Sequence, residues 1–339
     1  MNFLNTLIIQ IILNLNSFLK TKFSFADAKF YLKAFSVATI AFFISLVLCY
    51  FYIGGDQYAY IRTYNLMPSL SFLEAQEIYQ SYLTSKEIVH FILIFIFSRI
   101  TEKAVFISLF NSILVFYALV LFRSWGVNFL ISASILLTNY YVYVLFVPAE
   151  RLKFGVILFI MGLVFAKASK KSIFFSILSC FAHFQMVVLF ASLIFKHCLS
   201  KLMILVNHYK LSWHLLIVTM LPIIGLIFYY DAIFHKVSVA MSNSNGMRGI
   251  IKPLIFLVGS LIYAKNKINI TLMFSPLIVA AFFLGDSRVN MFCFFIFLYA
   301  ALPIKNGFNI GILITLLYFG QKNLFFVNQI IKYGNGFYL

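Results

Sequence analysis

The stretch SVATIAFFISLVLCYFYIGGDQYAYIRTYN, residues 36–65, decides how the rest of the chain is read. Its first part, residues 36–53, is an apolar run long enough to cross a bilayer as a helix. Lys20, Lys22, Lys29 and Lys33 precede the run, and Gly54-Gly55-Asp56 ends it. Basic residues collect on the cytoplasmic side of such spans, so the run starts inside and Asp56 emerges outside.

The pattern repeats to the C-terminus. Of 339 residues, 63% are hydrophobic and 10% charged, with 43 Phe. Mean hydropathy is +1.00. Soluble domains carry about 25% charged residues, so a soluble globule is excluded. The expectation is an all-α polytopic integral membrane protein of about 10–12 transmembrane helices, some of them short, re-entrant or broken. It forms a single membrane domain over residues 1–339. Residues 1–35 are cytoplasmic or interfacial, 54–103 form an external loop with short membrane-associated helices, and 231–249 form a second external loop.

The net charge of +17 does not indicate nucleic acid, because the Lys and Arg residues stand at the ends of apolar segments. There they fix orientation and meet anionic lipid headgroups. Cys49, Cys180, Cys198 and Cys293 are isolated and define neither a disulfide framework nor a zinc site. No cleavable signal peptide is expected, since Lys20 follows the apolar stretch at residues 3–19 rather than preceding it. That stretch, broken by Asn5, Gln10, Asn14 and Asn16, reads more readily as an interfacial amphipathic helix than as a span.

Two choices set the topology. The run at residues 89–100 is too short to span and is taken as re-entrant or interfacial. Residues 172–195 have lysines at both ends, which a pair of half-helices broken near His183 would keep on one side. With both choices, residues 127–147 run outward as one span. Asp56, Arg151, Arg248 and Arg288 then all face outside.

Arg151, in VPAERLKFGVILFI (147–160), and Arg288, in GDSRVNMFCFFIFLYA (285–300), each open a long apolar run. An arginine at mid-membrane costs about 2.5–3.5 kcal/mol, so each either reaches an interface or has a task. A guanidinium offers a planar fork of donors suited to phosphate oxygens. It can equally snorkel to lipid headgroups. Glu150 and Asp286 lie beside these arginines in sequence and could orient or neutralise them. Arg248, after a Gly/Asn/Ser-rich loop, is a third candidate.

His183, within FFSILSCFAHFQMVVLF (174–190), is a candidate base, or else a histidine hydrogen-bonded inside the bundle. Asp56 with Tyr58, Tyr60 and Tyr64 could present a carboxylate and aromatic faces to a sugar; interfacial tyrosines are also common. No nucleotide-binding loop, hydrolase elbow or metalloprotease motif occurs, and no string of intramembrane acids marks an ion-driven carrier.

These residues resemble the polytopic bacterial polysaccharide polymerases, the Wzy-type O-antigen polymerases and their EpsG-like relatives. The resemblance rests on Gly55-Asp56 with Tyr60 after the first span, Arg151-x-x-x-Gly155, Ala182-His183, and Arg288 before a Phe-rich span. It covers residues 36–302; Gln185 departs from it, standing where a small hydroxyl residue is common. It implies a GT-C-like membrane enzyme of the bacterial inner membrane. Such an enzyme joins oligosaccharide repeat units carried on undecaprenyl diphosphate at the outer face, without metal or cofactor. It further implies Arg151, Arg288 and Arg248 on the diphosphate, His183 or Asp56 as base, and the tyrosines on the sugar. A chain-length regulator could be a partner. A flippase for the same lipid-linked sugar, or a ligase passing it to another acceptor, are the competing readings.

Overall fold

The computed structural model describes residues 25–166, 169–205, 247–284 and 288–337, and among these every regular element is helical. Residues 3–19, 211–230 and 231–246, together with Asp286, lie outside the described residues.

The first helix, α1 (Phe25–Phe51), begins ahead of its apolar run because Lys29 and Lys33 sustain helix towards water. Its inward face carries Ala34, Ala38, Ala41 and Ser45, all buried, at spacings of three and four residues. Small residues at that spacing let two helix backbones approach closely. The neighbour is α5 (Lys103–Ser124). There Ser108 donates to the Ser45 hydroxyl at 3.2 Å, and the Asn111 amide donates to the Phe146 carbonyl at 2.9 Å.

Between α1 and α5 stand three short helices, α2 (Asp56–Leu66), α3 (Phe72–Leu83) and α4 (Ile88–Phe97). Helix α4 has 10 residues, about half of what a bilayer crossing needs. The backbone amides of Ile53 and Gly54 donate to the Gly334 carbonyl at 3.1 and 2.8 Å. This pins the segment that follows α1 to the end of the last helix, α14.

Residues 127–147 are not one continuous helix. They form α6 (Phe129–Thr138) and α7 (Tyr140–Phe146), bent by 59°. Asn139 is the cause. Its side-chain oxygen accepts the Tyr141 amide at 2.9 Å and starts a new helix where hydropathy alone shows no break.

Next come α8 (Glu150–Val164), α9 (Ser169–Ala182) and α10 (Met186–Leu205), with α8 packed on α5 and α9. The second half contains α11 (Met247–Tyr263), α12 (Lys267–Leu284), α13 (Val289–Ala301) and α14 (Ile310–Tyr333). Helix α11 lies on α12 and α13, α12 on α10, and α14 on α7 and α1.

Among the described residues three stretches are long and apolar enough to cross a membrane: Asp27–Phe51, Lys103–Ser124 and Ile304–Tyr333. The bent pair α6–α7 makes a fourth if it is counted as one. Where α5, α8, α10, α12 and α13 meet, an apolar cavity of about 320 Å³ is lined by Leu114, Phe159, Leu189, Met273 and Phe294 among others.

Candidate functional site

The site begins with a turn. Helix α3 opens on a capping box in which Ser71 and Glu74 satisfy each other's backbone and side-chain groups. It closes on Thr84, whose φ of 46° puts a β-branched residue in the left-handed region. The reversed chain then carries Ser85 and Glu87 into the protein, where both are buried.

Glu87 meets two of the sequence-derived candidates at once. One carboxylate oxygen pairs with Nδ1 of His183; the other accepts from Arg151 Nη1 at 3.1 Å and from Ser85 Oγ at 2.7 Å. Arg151 Nε donates to the Tyr60 hydroxyl at 2.9 Å.

His183 occupies the break between α9 and α10. It is held there by a close approach of α8. Ser179 donates to the Gly155 carbonyl at 2.8 Å, and a Cβ on Gly155 would sit 2.6 Å from Met186 Cγ and 3.4 Å from His183 Cβ. The glycine one turn after Arg151 is therefore what lets the arginine helix and the histidine break share a wall. The Nε2 atom of His183 faces the Gln185 amide at 3.1 Å. A half-turn of that amide exchanges its oxygen and nitrogen, so Gln185 can accept from or donate to this nitrogen.

Burial opposes ionisation of Glu87, yet His183 and then Arg151 hold its carboxyl well below the usual carboxylate range. A depressed pKa means that these pairings contribute fully above the ordinary value of 4.5 and weaken only as pH falls below it. Burial pushes the Tyr60 hydroxyl up to about 12, so it stays neutral and can accept from Arg151.

A second polar cluster lies beside the first. Glu150 is fully buried and accepts from Lys103 Nζ at 2.8 Å and from Gln57 Nε2 at 3.4 Å. The Tyr79 hydroxyl lies 2.8 Å from His90 Nδ1, and His90 Nε2 lies 3.5 Å from the free oxygen of Glu150. Neither of these last two atoms has a hydrogen-bond partner among the described residues. Lys153, also buried, donates to the Phe146 carbonyl at 3.2 Å. Glu150 therefore does not orient Arg151. Adjacent helical residues point about 100° apart, and each of these two finds a partner elsewhere.

Arg288, the N-cap of α13, lies with Nη2 4.0 Å from Asp56 Oδ2. Side-chain exposure falls along a line of charges, from 67% at Asp56 and 32% at Arg288 to 16% at Arg151, 3% at Glu87 and 1% at His183. The cluster thus grades from exposed charges to buried ones.

The other candidates are not gathered. Tyr58 is exposed on the opposite face of α2 from Tyr60. Tyr64 is buried and donates to the Thr101 carbonyl at 2.9 Å, stacked on Phe106. A sugar platform built from all three tyrosines does not form. Arg248 lies in the first turn of α11 rather than in a loop, and its side chain is outside the described atoms. Among the described residues no three His, Cys, Asp or Glu side chains come together as a ligand set for a metal.

Glu87 was missed because it follows an acid-rich outer segment and looks solvated. The available signal was its place directly before an apolar run with His90 three residues on. No known protein family matches the chain, and no curated protein or solved structure is detectably similar to it.

Proposed function

We propose that the chain is a polytopic inner-membrane polysaccharide polymerase that joins undecaprenyl-diphosphate-linked oligosaccharide repeats at the outer face. The observation that carries the reading is the graded burial of Arg288, Arg151 and His183, the last two both paired with Glu87.

In this reading a hydroxyl of the incoming unit attacks the anomeric carbon of the growing chain. The bond from that carbon to the diphosphate oxygen breaks, and the hydroxyl proton passes to His183 Nε2. Gln185 must turn aside to admit the hydroxyl. Negative charge grows on the leaving diphosphate, where Arg288 and Arg151 stabilise it as charged donors. Asp56, the most exposed of these groups, orients the acceptor or holds Arg288. The Tyr60 ring backs Arg151, its guanidinium carbon 5.8 Å from the ring centre.

Arg151→Ala and Arg288→Ala test the reading in cells. Each is expected to lower elongation by about 10²–10³-fold, the loss typical of one transition-state donor. Single-repeat material persists. Normal chain-length distributions from both variants at normal expression would contradict it. In a deletion strain, loss of all surface transfer would favour a ligase, and build-up of lipid-linked repeats on the cytoplasmic face a flippase.

A further inference from the structure

We propose that Glu87 is the positioning residue of this site, fixing which nitrogen of His183 carries the proton and which nitrogen of Arg151 is free for an anion. The assignment comes from how its carboxylate is shared. An ionised carboxylate only accepts, so the His183 nitrogen that faces it must donate. Glu87 faces Nδ1, and a neutral imidazole with its proton on Nδ1 keeps its lone pair on Nε2, the nitrogen facing Gln185. The other Glu87 oxygen holds Arg151 Nη1, while the Tyr60 hydroxyl holds Nε. The guanidinium is thereby held through Nε on one side and Nη1 on the other, and Nη2, between them, is left to meet a ligand. One buried side chain sets the base and the anion donor together.

A carboxylate serving only to hold the fold would be replaced adequately by its isosteric amide. One that sets a tautomer would not, because the amide can also donate and no longer dictates a donor at Nδ1. The charged groups acting on His183 are Glu87, Arg288 and Arg151. Those acting on Glu87 are His183 and Arg151, with Ser85 donating to it. Glu87 is the acid in this set. Removing its charge while both arginines remain destabilises the protonated imidazole, so the apparent pKa of the base falls.

The kinetic part of the test rests on the polymerase reading; the spectroscopic part does not. Full-length protein with nitrogen-15 histidine is reconstituted in lipid nanodiscs, with the His183 signals identified by their loss in His183→Gln. Wild type is expected to show the proton on Nδ1, and Glu87→Gln to lose that preference. In elongation assays with purified lipid-linked repeats, Glu87→Gln is expected to lower turnover by about 10²–10⁴-fold. The KM should change by about threefold or less. The acid limb of the pH–rate profile should move to lower pH by about one unit. Glu87→Asp, which keeps the charge, should retain the wild-type position of that limb.

A wild-type spectrum with the proton on Nε2 overturns the proposal. So does a Glu87→Gln enzyme with wild-type turnover and pH profile. If Glu87→Gln does not fold, the wild-type spectrum and the Glu87→Asp profile decide. If the wild-type protein does not elongate lipid-linked repeats at all, the polymerase reading fails, and the nitrogen spectrum alone decides the role of Glu87.

Discussion

Around Glu87 and Glu150 the interior holds two carboxylates, an arginine, two lysines and two histidines. Where α5, α8, α10, α12 and α13 meet, it holds a cavity of about 320 Å³ walled by leucine, phenylalanine and their like. Both regions hang on the same two helices: α5 runs from Lys103 at the polar end to Leu114 at the cavity, and α8 from Glu150 to Phe159. The difference between them lies in what is left unfinished. The apolar region tolerates a void, which costs only lost dispersion contacts. In the polar region each carboxylate has a cationic partner, although Glu150 Oε1 and His90 Nε2 lack a hydrogen bond. This arrangement, costly to desolvate and graded from exposed to buried, is the observation on which the proposed function rests.

Three substitutions sharpen this contrast. The largest effect is expected from Glu150→Ala, which strands Lys103 and His90 in the interior. Breaking a buried pair in this way costs about 3–5 kcal/mol, read as loss of folded protein on heating in detergent. A stability change under about 1 kcal/mol would show that the cluster is more hydrated than its burial implies.

Leu114→Ala, at the cavity, comes next. It enlarges a void in an apolar wall and should cost about 2–3 kcal/mol of stability, while leaving the polysaccharide length distribution unchanged. Altered lengths would tie the cavity to the polar site and erase the contrast. The smallest effect is expected from Thr84→Gly. Glycine removes the left-handed strain at the turn before Glu87, but brings its own entropy cost, for a net gain of about 0.5 kcal/mol by thermal unfolding. A loss of stability would mean that the threonine side chain holds the turn.

The all-helical architecture was legible from hydropathy and from the lysine clusters. Asp56, Arg151, His183 and Arg288 stood out because a polar group beside or inside an apolar run is expensive wherever it falls. The parity of the spans grouped Asp56, Arg151 and Arg288 with Arg248, and it counted residues 127–147 as one span where two helices bent by 59° stand. Glu87 was not anticipated, because its burial depends on the Thr84 turn, which no periodicity reveals. The pairing of Glu150 with Arg151 was a misreading of neighbours in sequence as neighbours in space. Helical spacing would have corrected the tyrosines: Gln57, Tyr60 and Tyr64 share the inward face of α2, and Tyr58 lies off it. The break at Asn139 was hidden by the strong hydropathy on either side.

The central claim is that the cluster of charged side chains from Asp56 to His183 elongates a lipid-linked glycan. Its most direct measurement is incubation of the purified full-length protein in nanodiscs with purified undecaprenyl-diphosphate-linked repeat units, followed by sizing of the glycans. The account predicts a ladder of lengthening chains with release of undecaprenyl diphosphate, and neither from Arg151→Ala or Arg288→Ala protein. Unchanged single repeats from well-folded wild-type protein, or ladders of wild-type length from both arginine variants, would contradict it.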